Sequence, residues 1–142
     1  MDYATILLNN YSSIRPVIRQ LNHIVHRQAV RSHNNGLDCW SDTQKRAEKI
    51  VYYVNKKKSL INLHNVTTKA INSLAREDRT LIYYCYIVRA TRDQIAKRFS
   101  FSQRTVYRRL QSAKESFEKA LRIRGYDEKW FQENYGKDFC VN

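Results

Sequence analysis

Between Thr91 and Ala120 the chain reads TRDQIAKRFSFSQRTVYRRLQSAKESFEKA, with apolar residues recurring at three- and four-residue intervals on either side of a short interruption. Thr91 followed three residues later by Gln94 has the spacing of a capping box, in which a hydroxyl and an amide each satisfy an orphan backbone N–H. Ile95, Ala96 and Phe99 then share one face of a first helix. Ser100, Phe101 and Ser102 form a turn, and Ser102 is placed to N-cap a second helix on which Val106, Leu110, Ala113 and Phe117 fall on one side. That side is expected to be buried. Gln103, Arg104, Tyr107 and Arg108, with Thr105 and Arg109 beside them, are left pointing outward along the first two turns.

The rest of the chain predicts more helix. Three glycines and one proline in 142 residues leave few punctuation marks, which disfavours a fold with many tight turns. Residues 3–29 carry Ile6, Leu7, Ile14, Val17, Ile18, Leu21, Ile24 and Val25 in an amphipathic pattern, with Pro16 permitting a break or a new start. The turn formers of SHNNGLD predict a loop over 32–42. A second helix is expected over 43–61 with Ala47, Ile50, Val54 and Ile61 on one side and an interruption at 62–65. After Gly125, Asp127 can N-cap a last short helix carrying Trp130, Phe131 and Tyr135. The expected fold is all-α: an N-terminal helical region over 1–73 for association or packing, a helix-turn-helix domain over 74–124, and a C-terminal helical tail over 125–142.

Charge adds a partner class. Lys and Arg number 26 against 13 Asp and Glu, a net charge of +13 and an isoelectric point near 9.9, as on a phosphate-binding surface. From Arg89 to Arg124 basic residues far outnumber Asp93, Glu115 and Glu118. Arginine pairs in bidentate fashion with guanine, and glutamine with adenine, so the outward residue types suit direct readout in a major groove. The expected DNA-binding set is Arg92, Ser102, Gln103, Arg104, Thr105, Tyr107, Arg108, Arg109 and Lys114, with Lys114 serving affinity for any sequence. Double-stranded DNA is the expected partner.

Across Leu74 to Leu121 these residues resemble region four of sigma-70-type factors. LAREDRTLIYYCYIV looks like the helix that precedes that family's helix-turn-helix; Gln94, Ile95 and Ala96 look like its E-I-A core; and Ser102, Thr105, Val106, Arg108 and Leu110 are similar to its S-x-x-T-V-x-R-x-L element. The family usually has glycine in the turn, where this chain has Ser100, implying strain or a different turn. Over more of the chain the layout resembles the ArpU/RinA-like regulators of phages and prophages of Gram-positive bacteria. That resemblance implies a late-promoter activator working with RNA polymerase in a bacterial cytoplasm, on the nucleoid. A divergent sigma-like factor and a phage small terminase subunit are the alternative expectations.

The remaining features are less specific. An amphipathic N-terminal pair of helices suits either a homodimer or packing within one chain. The aromatic tail suits core packing or docking on another protein such as RNA polymerase. Cys39, Cys85 and Cys140 are far apart, and the four histidines lack zinc-finger spacing, so neither metal nor cofactor is expected. No nucleophile elbow, phosphate-cradling glycine loop or carboxylate cluster is present, so no catalytic residues are assigned and an enzyme is not expected. No membrane association is expected. Tyr83, Tyr84 and Tyr86, on one ordinary helix, cannot all be buried or form one stacking platform.

Overall fold

The computed structural model describes residues 2–34 and 40–139, with side-chain environments for 2–30 and 44–139. Among the described residues all regular structure is helical: α1 (Tyr3–Asn34), α2 (Trp40–Asn72), α3 (Arg76–Ile82), a π-helical turn (Tyr83–Ile87), α4 (Arg92–Phe99), α5 (Gln103–Ile123) and α6 (Glu128–Tyr135). The all-α expectation holds.

Several boundaries differ from the sequence reading. α1 extends past 29 to Asn34 and takes the unbroken course of the two that Pro16 permits, although proline forfeits a backbone hydrogen bond there; Leu7, Ile14 and Leu21, at seven-residue spacing across it, are all buried and offset that loss. The expected interruption at 62–65 is absent, since α2 continues to Asn72 and Leu60, Leu63 and Val66 are buried along it. Of the expected 32–42 loop, the two flanks are helical and 35–39 lie outside the described residues, as do Cys39 and Cys140.

Two compact units are formed, Met1–Ser12 with Val66–Asn142, and Ser13–Asn65. In the second unit Ile14 and Leu21 of α1 and Leu60 and Leu63 of α2 are buried, with Ile50, Tyr53 and Val54 half-buried. Burial depresses the His64 imidazole, and the nearby Arg15 charge acts in the same direction against a hydrogen bond with Asn65. The face expected for this helix is displaced: Ala47 and Ile61 are exposed, and half-buried Lys57 sits on the buried side. A lysine stem covering apolar surface conceals such a face from a hydropathy pattern. Val17 of α1 is exposed as well.

In the first unit the large buried side chains come from sequence-distant helices: Leu7 and Leu8 of α1, Ile82 of α3, Phe117 and Leu121 of α5 and Phe131 of α6, each at most 1 % exposed. α5 ends at a glycine for a conformational reason. Gly125 adopts φ +85, which lets the amides of Gly125 and Tyr126 bond back to the carbonyls of Arg122 and Leu121 at 3.0 and 2.9 Å. Asp127 then caps α6 by accepting from the Trp130 amide at 2.9 Å. The tail is part of this core: the Phe131 ring lies 6.0 Å from Tyr3, and the Tyr3 hydroxyl donates to the Tyr126 carbonyl at 3.2 Å. Burial, with the Glu118 charge adding to it, pushes Tyr3 up to about 12.

The tyrosine cluster sits on wider backbone than an α-helix. The Val88 amide reaches the Tyr83 carbonyl at 3.0 Å and the Ala90 amide the Tyr84 carbonyl at 2.9 Å, and Arg89 between them is left-handed at φ 64. Tyr84 and Tyr86 are half-buried while Tyr83 is exposed. Arg89 is consumed structurally, its guanidinium donating to the Asn9 carbonyl.

Candidate nucleic-acid interface

α4 and α5 are joined by Ser100, Phe101 and Ser102, and local side-chain bonds set where each helix starts. Thr91 and Gln94 form the reciprocal cap, with the Gln94 amide donating to the Thr91 hydroxyl at 3.1 Å and the Thr91 amide to the Gln94 carbonyl oxygen at 2.9 Å. Ser102 accepts from the Thr105 amide at 3.2 Å and donates to the Thr105 hydroxyl at 2.9 Å. These two hydroxyls are therefore committed to starting α5. Between the helices Ser100 takes the left-handed conformation at φ 57, ψ 38, and its amide bonds to the Ala96 carbonyl.

That conformation costs an L-residue about 1–2 kcal/mol, a penalty glycine escapes. Glycine also has more conformational freedom to lose on folding. Ser100→Gly is therefore expected to raise unfolding free energy by about 0.5–1 kcal/mol, read by urea titration; a loss of stability would show that the serine side chain compensates for its backbone.

The anchoring side of this region is apolar. Leu81, Ile95, Ala96 and Val106 are buried together, and Tyr84, Cys85, Ala90, Phe99, Phe101 and Leu110 pack against them. Burial pushes the Cys85 thiol up, against the opposing charges of Arg89 and Arg92. Along α5, Val106, Ala113, Phe117 and Leu121 all have no exposed surface, and Leu110 is half-buried. One complete side of a 21-residue helix is thus committed to the interior.

The opposite side starts with Gln103, Arg104, Tyr107 and Arg108, all exposed. Arg104, Thr105, Tyr107 and Arg108 line a shallow surface depression of about 640 Å³ together with Gln111, Ser112 and Glu115. The sequence reading named the first four. Gln111, Ser112 and Glu115, which were not expected there, continue the spacing of Arg104 and Arg108 by three- and four-residue steps. Among the described residues no ion pair or hydrogen bond engages the guanidinium of Arg104 or Arg108. Tyr107, 48 % exposed, is overlaid by the Arg92 guanidinium at 5.0 Å from its ring centroid. Arg92 is thereby brought from the start of α4 to the same surface, held by a cation–π contact.

The other sequence-predicted residues are placed differently. Gln103 makes a long contact to Asp93 at 3.5 Å, and Asp93 also pairs with Lys97 at 3.2 Å. Arg109 lies over Phe101 at 4.6 Å and pairs with Glu77 of α3 at 3.8 Å. Lys114, its side chain 20 % exposed, pairs with Asp2 at 3.4 Å. Desolvation would raise the Asp2 carboxyl, but hydrogen bonds from Thr5 and the Lys114 charge outweigh it and hold the group below its ordinary value. Its stabilising contribution is therefore present above the unfolded-state value and lost as pH falls through the folded one.

The nine candidate residues thus fall into three groups. Arg104, Tyr107, Arg108 and Arg92 are brought together on an open surface beside Gln103; Ser102 and Thr105 shape the helix start; Arg109 and Lys114 hold other partners. Among the described residues no three His, Cys, Asp or Glu side chains are arranged to hold a metal ion, and no helix is long and apolar enough to cross a membrane. Compared with known protein families, curated proteins and solved structures, the chain matches none.

Proposed function

We propose that this protein is a sequence-specific double-stranded DNA-binding transcriptional regulator, with α4 and α5 acting as a helix-turn-helix and α5 as the helix that enters the major groove. The observation that carries this reading is the division of α5 into two sides. Four side chains without exposed surface fix the helix from behind, while Arg104 and Arg108 stand outward beside an Arg92–Tyr107 pair. A base reader needs guanidinium groups that are free of internal partners, because a cation already paired must give up that pair before it can donate to guanine.

The resemblance to sigma region four and to ArpU/RinA-like regulators extends the proposal to activation of phage or prophage late promoters with RNA polymerase. Selection of bound duplexes from a random library tests the first part: enrichment of a defined motif supports it, and equal recovery of all sequences overturns it. Transcription from a promoter carrying that motif, with and without resident sigma factor, tests the second. Stimulation that depends on sigma supports an activator, and initiation with core polymerase alone marks a sigma-like factor instead.

A further inference from the structure

We infer that the Ser13–Asn65 unit is a second, sequence-independent binding surface for the phosphate backbone of duplex DNA. The inference takes its ligand from the reading of α5 above but stands on different residues. Within that segment the acids are Asp38, Asp42 and Glu48, and the rest of the chain's 13 lie outside it. α1 contains no Asp or Glu at all, and the only acids of α2 are Asp42 and Glu48, both in its first nine residues. Yet α1 exposes Arg15, Arg19 and Arg27, and α2 exposes Lys45, Lys49 and Lys58.

Helices elsewhere in the same chain neutralise such cations. Lys97 pairs with Asp93, Arg122 with Glu118 and Lys129 with Glu133, each one helical turn apart. An ordinary solvated helix interleaves the two signs in this way. Arg15, Arg19 and Arg27 have no acid on their helix to do the same, and like charges one turn apart cost about 0.2–0.5 kcal/mol per pair. A polyanion removes that repulsion.

The spacing selects the kind of polyanion. Arg15 and Arg19 are one turn apart, about 6 Å along the axis, and Arg27 lies about 12 Å further along and about 80° further round the helix. Exposed cations spread along a helix suit an extended, densely charged backbone and release its condensed counterions. A lipid-surface helix would instead turn a continuous row of large apolar residues outward, whereas Ile14, Leu21, Leu60 and Leu63 are buried and the outward apolar groups of this unit are the scattered Val17, Val30, Val51, Tyr52 and Ile61.

The test uses the full chain. Arg15→Gln/Arg19→Gln/Arg27→Gln and, separately, Lys45→Gln/Lys49→Gln/Lys58→Gln replace charge with a residue of similar helix propensity, and circular dichroism melts check folding. Binding is measured against salt for a selected duplex, a scrambled duplex and anionic phosphatidylglycerol vesicles. Each triple variant is expected to reduce the log–log salt slope by about 2–3, from the loss of up to three phosphate contacts. Affinity should fall by the same factor for both duplexes, leaving their ratio unchanged.

Folded variants with an unaltered slope overturn the inference, as does a loss confined to the vesicles. The two readings fail separately. A wild-type protein without preference for the selected duplex, whose slope still drops in the triple variants, defeats only the reading of α5. Intact preference with an unaltered slope defeats only the second surface.

Discussion

Phe117→Ala is expected to lower the unfolding free energy by about 3–5 kcal/mol, the usual range for emptying a fully buried aromatic site. Phe117 has no exposed surface and lies between Ala113 and Leu121, which have none either. Removing the ring forfeits its transfer energy and leaves a cavity lined by neighbours that cannot collapse fully. Small domains are stable by only about 5–15 kcal/mol, so the variant would lose a large share of its margin. Urea titration gives the value from the shifted midpoint at constant slope. A loss below about 1 kcal/mol, the range of surface substitutions, would mean that this face does not anchor α5. The consequence reaches the proposed interface, because burial of Phe117 and exposure of Arg104 and Arg108 are two aspects of one helix orientation.

That orientation was legible in the sequence because it is local. Val106, Leu110, Ala113 and Phe117 follow one another at three- and four-residue steps, and hydrophobic periodicity reports such spacing directly. The Thr91 cap and the Ser102 cap were readable for the same reason, since each links residues three apart. What failed were boundaries and faces decided by distant parts of the chain. The interruption expected at 62–65 is absent, and Ala47 and Ile61 are not on the buried side of α2, where Lys57 stands instead. The widened backbone at Tyr83–Ile87 has no local signature, and an ordinary helical period was assumed for its tyrosines.

Within the candidate site, residue type and outward direction were readable, but partners were not. Arg109 and Arg108 are adjacent and chemically identical; only folding places Glu77 and Phe101 against the first and leaves the second open. Lys114 likewise meets Asp2 from the far end of the chain, a pairing no local pattern reveals. Glu115, at the far end of the depression, was also outside the sequence-derived set. Its negative charge disfavours phosphate there and confines the proposed contact to the first turns of α5.

Arg104→Ala and Arg108→Ala are each expected to weaken binding to the selected duplex by about 1–3 kcal/mol, or about 5- to 150-fold, with much less effect on a scrambled duplex. Each substitution should relax the preference at one base position while leaving the others intact, because a bidentate guanidinium reads one base pair at a time. Arg109→Ala is the internal comparison. Its guanidinium already holds Glu77 and Phe101, so its removal is expected to alter the base preference little and to act mainly on stability. Competition binding with single-position variants of the selected sequence distinguishes these outcomes. Equal losses on selected and scrambled duplexes for all three variants would assign the α5 arginines to phosphate contact alone. A loss of base discrimination on replacing Arg109, with none on replacing Arg104 or Arg108, would put the reading surface on the side of α5 that faces α3, and the proposed orientation of the helix in the groove would be wrong.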